Sequence, residues 1–153
     1  MPRVERTSAA TWEGNVARGG GAITAASGAF GDLPYSLATR IGNPEGKTSP
    51  EELLAAAHAA CFAMSLAGEL AGNGTVAEKV EVTALVTLDQ VEDGSHRIVS
   101  SQIDARARVT GVSEGDLRAT AEAASKGCPL SALIEASAAV TVKATLEGGT
   151  DGD

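Results

Sequence analysis

The chain has 153 residues, 43% of them hydrophobic, 21% charged and only 3% aromatic, with a formal net charge of −8. That length suits one domain with a buried core, here built from Ala, Val, Leu and Ile because aromatics are scarce. An acidic surface with no basic stripe repels phosphate backbones, which argues against nucleic-acid binding. The longest apolar run, 53–68, is broken by His58 and Ser65 and is too short for a bilayer span. MPRVERTSAA has no hydrophobic segment behind its charges, so no secretory leader is expected and the chain reads as cytoplasmic.

The first 45 residues are glycine-rich and poor in helix signals, and read as an N-terminal β region. TWEGN (11–15), AITAAS (22–27) and PYSLATR (34–40) are the predicted strands, separated by turns at RGGG and GAFGD. IGNPEGK (41–47) is a loop. A long helix follows within 49–72: Ser49 is the N-cap, Pro50 takes the first helical position, and Glu52 completes a capping box. It should run to about Ala71, where GNG stops it. Leu53, Ala57, Ala60, Met64 and Ala67 form its predicted packing stripe, whose small side chains admit a close neighbour.

Residues 80–146 read as a ββαβ region. In VEVTALVTLDQ (80–90) Val80, Val82, Ala84, Val86 and Leu88 alternate onto one face. EDGS turns the chain into a returning strand, 97–109. Ser113 caps a second helix over 114–126, ended by Gly127, and Cys128-Pro129 follows at once. A helical turn at 130–136, a strand at 138–146 and a frayed tail at 147–153 complete one domain, 1–153. Strands, long helix, hairpin, helix, strand make an α+β fold with mainly antiparallel sheets rather than an alternating βαβ chain.

The residues that invite chemistry centre on AAAHAACFAMSLAGEL (55–70). Cys61 is either a small core hydrophobe or a nucleophile. It lies three turns into the helix, beyond the reach of the N-terminal dipole, so a thiolate there needs another source of positive charge. His58, three residues earlier, shares its face and either serves as base or fills space. Arg18, in the glycine turn, and Arg40, ending the third predicted strand, are the candidate cations. Glu51 either favours the helix N-terminus or aims an arginine. Cys61 and Cys128 are the only cysteines. Adding His58 and His96 would make four ligands, but at spacings unlike those of zinc sites, so no metal is expected. His96, Trp12 and Tyr35 read as structural.

TSPEELLAAAHAACFAMSL together with KGCPLSALIEA closely resembles the OsmC branch of the OsmC/Ohr family of organic hydroperoxide reductases. TWEGNVARGGGAIT and PYSLATRIG resemble that branch's N-terminal strands, so the likeness covers about residues 8–146. The AHAACF form, with His58, is closer to the osmotically inducible OsmC type than to the Ohr type. The resemblance implies a thiol peroxidase of osmotic and oxidative stress that needs no metal, haem, flavin or other cofactor. Cys61 matches the peroxidatic cysteine and Cys128 the resolving one, the two condensing into a disulfide that a lipoyl-type dithiol reduces. Arg40 matches the arginine that OsmC-like proteins bring to the thiolate, and Glu51 the carboxylate that holds it. Arg18 lies near the position used by Ohr-type proteins. An intertwined homodimer is implied, with the long central helix carrying the nucleophile.

Two further expectations are testable in the fold. Ten residues of straight helix separate Glu51 from Cys61 by about 15 Å, so one arginine serving both requires an irregularity around Ala55–His58. Phe62 and Met64 are expected to line an apolar mouth at the thiol, favouring alkyl or fatty-acid hydroperoxides over hydrogen peroxide. Two other classes remain: a non-enzymatic dimer binding a small apolar ligand, and a general thiol–disulfide oxidoreductase. The latter usually carries a CxxC pair at a helix N-terminus, which this chain lacks.

Overall fold

The computed structural model describes residues 3–147. Residues 148–153, most of the predicted tail, lie outside them. The chain divides into two compact units, Met1–Leu53 and Leu54–Asp153. The architecture is α+β, with two three-stranded sheets and four helices.

In the first unit β1 (Ser8–Ala10), β2 (Gly21–Ala25) and β3 (Leu33–Tyr35) form an antiparallel sheet in that order. TWEGN is not the strand expected of it. Only Glu13 bridges, to Gly20, and the strand proper lies upstream at Ser8–Ala10. Gly21, which opens β2, serves close approach. A Cβ on Gly21 would sit 1.9 Å from the Thr11 carbonyl oxygen and 2.7 Å from the Tyr35 ring.

PYSLATR is also corrected, and with it the purely β reading of residues 1–45. Its strand ends at Tyr35, and α1 (Leu37–Ile41) begins after Ser36, whose hydroxyl accepts the Thr39 N–H at 3.3 Å. Arg40 therefore stands on the last turn of a short helix.

The long helix α2 (Pro50–Gly72) begins as its cap residues dictate: Ser49 Oγ accepts the Glu52 N–H at 3.1 Å. The capping box is only half made, because the Glu52 carboxylate accepts from the Thr48 hydroxyl at 2.8 Å. At 23 residues α2 outruns the apolar run 53–68, and by length and composition alone it would suffice to cross a membrane. Its buried residues are His58, Phe62, Leu66 and Leu70, not the small-residue stripe. Ala57, Ala60 and Ala67 are exposed, and Met64 is 71% exposed. The irregularity expected at Ala55–His58 is absent, since the helix is α-helical throughout. Sharing of one arginine along this helix by Glu51 and Cys61 loses its premise.

In the second unit β4 (Lys79–Gln90) and β5 (His96–Arg108) form a long antiparallel hairpin closed by Val91–Ser95, with a bulge opposite Thr87/Leu88. The helix α3 (Glu114–Gly127) is capped by Ser113, whose Oγ accepts the Asp116 N–H at 3.1 Å. It buries Leu117, Thr120, Ala121 and Ala124 at helical spacing. The short α4 (Pro129–Glu135) follows directly, and β6 (Ala139–Leu146) returns parallel to β5. That is the one parallel pairing, made by a helical crossover. The core gathers Phe62, Leu66 and Leu70 of α2, Ile103, Ala105 and Ala107 of β5, Leu117, Ala121 and Ala124 of α3, and Ala144 of β6. Each large side chain buried there contributes about 1.5–3 kcal/mol. Cys128 belongs to the same cluster, and Cys61 packs against it half-buried.

Candidate active site

Within the second unit, α2 and α4 meet through two pairs of side chains. The sulfur atoms of Cys61 and Cys128 lie 3.3 Å apart as free thiols. One turn away His58, fully buried, bonds through Nδ1 to Ser101 Oγ at 2.7 Å and through Nε2 to Ser131 Oγ at 2.9 Å. Both imidazole nitrogens are therefore committed, and His58 is no base for Cys61. Burial holds its pKa below the ordinary histidine value, against a weaker upward pull from Glu135, so the ring is neutral.

Burial pushes the Cys61 thiol up, and the neighbouring Cys128 pushes the same way; only the Leu130 backbone opposes them. Burial also works to raise Cys128, but hydrogen bonds from the Ser131 backbone and hydroxyl, from Cys61 and from the Leu130 backbone together leave this thiol below its ordinary value. Placement at the start of α4 is the structural cause. Among the described residues no positive charge acts on Cys61 to favour a thiolate.

In the first unit one arginine is fixed by a carboxylate. Arg40 Nε donates to both Glu51 oxygens, at 3.0 and 3.1 Å, and Nη2 donates to Oε1. Burial acts to raise the Glu51 pKa, yet the Arg40 hydrogen bonds, aided by Ser49, bring it below the usual carboxylate value. The same bonds raise Arg40. Arg18 is exposed, and its side chain forms no hydrogen bond or ion pair among the described residues. Of the two candidate cations, Arg40 is the one held in place.

Beside Arg40 lies an apolar cavity of about 300 Å³, walled by Trp12, Val16, Tyr35, Leu37 and Pro50. The Trp12 and Tyr35 rings meet at 5.4 Å, tilted by 53°. Of the residues expected to line an apolar mouth at the thiol, Phe62 lies in the core and Met64 faces outward. Sequence reasoning left Trp12 and Tyr35 as structural and missed Ser101 and Ser131 altogether. Two of the four aromatics in the chain wall this cavity, a concentration that was the available signal. Among the described residues no three His, Cys, Asp or Glu side chains gather as metal ligands.

Comparison with known proteins accords with this fold. The sequence profile of OsmC-like proteins matches residues 42–143. Peroxiredoxin OsmC of Escherichia coli (strain K12) is 35% identical over 133 residues, 87% of this chain and 92% of the relative. Among solved structures, the organic hydroperoxide resistance protein OhrB of Bacillus subtilis superposes with TM-score 0.73 at 23% identity, covering 91% of this chain and 98% of that one. The Legionella pneumophila organic hydroperoxide resistance protein OsmC gives 0.72 at 24%, covering 94% and 99%. With an α+β fold of the same kind, a profile match over most of its length and a relative of this identity, the chain belongs to the family of OsmC-like proteins.

Proposed function

We propose that the protein is a cytoplasmic thiol peroxidase that reduces organic hydroperoxides to alcohols, and that it works as an intertwined homodimer. The observation that carries this reading is the free thiol pair at 3.3 Å, one member half-buried and the other fully enclosed. The Cys61 thiolate attacks one peroxide oxygen; the O–O bond breaks, the alkoxide leaves and takes up a proton as the alcohol, and Cys61 becomes a sulfenic acid. Cys128 then attacks that sulfur and expels hydroxide, which leaves as water with the thiol proton. A lipoyl-type dithiol reduces the resulting disulfide by two exchanges and closes its own disulfide.

Arg40, aimed by Glu51, is the counter-charge in this reading, brought to the thiolate in the dimer. The cavity beside Arg40 then receives the alkyl part of the substrate. Its apolar wall favours alkyl or fatty-acid hydroperoxides over hydrogen peroxide, which gains nothing from such contacts. The dimer is supported by α2, which is long and apolar yet buries only four of its 23 residues. A second copy would cover the exposed Ala57, Ala60, Met64 and Ala67.

The test is turnover of cumene hydroperoxide and of hydrogen peroxide by the reduced protein with dihydrolipoamide, beside a Cys61→Ser variant. Turnover that prefers the organic peroxide and vanishes in the variant is the expected result. Consumption no faster than in the variant would leave the alternative, a dimer that binds a small apolar ligand without chemistry.

A further inference from the structure

We infer that His58 is a positioning residue for the resolving cysteine: through Ser131 it locks α4 on α2 in the one register that holds Cys128 against Cys61. The inference rests on the peroxidase reading of the thiol pair.

The geometry is a ladder of two rungs. On α2, His58 and Cys61 are three residues apart; Cys128, the N-cap of α4, and Ser131 are also three apart. The pairing runs in opposite directions, 58 with 131 and 61 with 128, at 2.9 and 3.3 Å. Three residues of helix rise about 4.5 Å, so the rungs are coupled and neither slips alone. The polar rung is anchored at its far end, where Nδ1 meets Ser101 of β5 at 2.7 Å. One imidazole thus ties α2, β5 and α4 together, as its two ring nitrogens allow.

The short helix packs on α3 and β6 and sets Leu130 against the core, but its polar tie to α2 and β5 runs through His58. Of its seven residues only Ser131 and Ile134 are buried. Without His58 the buried Ser131 oxygen would lose its bond to the imidazole and keep only Cys128 as a side-chain partner, a loss that α4 would shift to relieve. Closing the disulfide requires the sulfurs to approach from 3.3 Å to about 2.05 Å, a movement small enough to need no local unfolding while the register holds.

A neutral ring with its proton on Nε2 also orders the hydroxyls. With that tautomer Nε2–H would donate to Ser131 Oγ and Ser101 O–H to Nδ1, which would leave the Ser131 O–H free to turn toward the Cys128 sulfur. The lowered pKa of Cys128, to which that hydroxyl contributes, fits this arrangement. Cys61 from α2 and Glu135 from α4 are the titratable groups that act on this chain, and β5 contributes only the neutral Ser101.

The test follows the reduced full-length protein after one equivalent of cumene hydroperoxide, by rapid acid quench and intact mass. Gain of one oxygen marks the sulfenic acid, and loss of two hydrogens marks the disulfide. Ser131→Ala should slow closure about tenfold to a hundredfold, with sulfenic acid accumulating. His58→Asn keeps a group for Ser101 but is too short for Ser131, and should behave like Ser131→Ala. His58→Gln reaches Ser131 and should restore most of the rate. In a Cys61→Ser background, the Cys128 pKa read from ultraviolet thiolate absorbance should rise when Ser131→Ala is added.

Closure at the wild-type rate in both Ser131→Ala and His58→Asn would overturn the inference. So would equal losses in His58→Asn and His58→Gln that merely track a fall in Tm. Should peroxide fail to oxidise wild-type Cys61, the peroxidase reading fails by itself. The same variants are then compared with diamide, a thiol oxidant, driving closure, and the same two outcomes decide.

Discussion

Oxidation should stabilise the fold, and the amount follows from sequence separation. Cys61 and Cys128 are 67 positions apart, and joining them removes loop-closure entropy from the unfolded chain worth about 4 kcal/mol at 25 °C. Little of this is lost to strain in the folded state, because the sulfurs start 3.3 Å apart. For a chain of this length, each kcal/mol moves Tm by about 2–4 °C, so the oxidised form should melt on the order of 10 °C higher. The assay is thermal unfolding by circular dichroism of diamide-oxidised and fully reduced protein at one fixed concentration, since assembly would otherwise contribute. Cys128→Ser, treated identically, should show no shift. Equal melting of the two wild-type forms, or a lower Tm on oxidation, would mean that the thiols are not poised to join without distortion.

Other outcomes follow from the same side chains. The folded-state pKa of His58 is depressed, so its contribution to stability is complete above the unfolded value of about 6.5 and declines as pH falls below it. Denaturant titrations should therefore lose up to about 1.4 kcal/mol per pH unit in that region, a slope absent from His58→Gln; identical slopes would contradict a buried neutral ring. Gly21→Ala drives a Cβ against the Thr11 carbonyl and should cost at least about 2 kcal/mol in urea unfolding; an unchanged midpoint would show that the β1–β2 connection yields freely. Trp12→Ala opens the apolar cavity and should raise KM for cumene hydroperoxide about tenfold while leaving that for hydrogen peroxide unmoved. A parallel change for both peroxides would remove the cavity from substrate selection.

The second unit was the more legible half of the chain. Strict alternation in 80–90, the Ser113 cap and Gly127 mark β4 and α3 to within a residue or so. In the first unit α1 was hidden, because five residues after a serine cap carry no periodicity to read. The buried face of α2 was misjudged for a different reason. The helix is apolar nearly all round, so spacing alone cannot choose between the Ala57–Met64 face and the His58–Phe62 face. The motifs single out Cys61, Cys128, Arg40 and Glu51 as candidates, and the structure pairs the two cysteines with each other and Arg40 with Glu51. Ser101 and Ser131 are not singled out, because their significance lies in a partner 43 or 73 residues away. Three-residue spacing reveals that His58 lies beside Cys61, yet it cannot reveal that the imidazole turns its nitrogens toward two serines instead.

Those placements separate two tasks that one cysteine site must perform. The second unit favours closure: its sulfurs lie 3.3 Å apart, and the Ser131 backbone and hydroxyl bond to Cys128. Ionising Cys61 first, as the proposed reaction demands, calls for a cation, and none among the described residues acts on that thiol. Arg40 suits that role because of how Glu51 grips it. The carboxylate takes the Nε–Nη2 edge of the guanidinium, leaving Nη1 without a partner among the described residues. A planar fork can be held at one edge and still present a donor at another, whereas a lysine would spend its single charge centre on the carboxylate. Under the proposed reaction Glu51 would aim the arginine more than neutralise it, which would account for a carboxylate beside the proposed counter-charge.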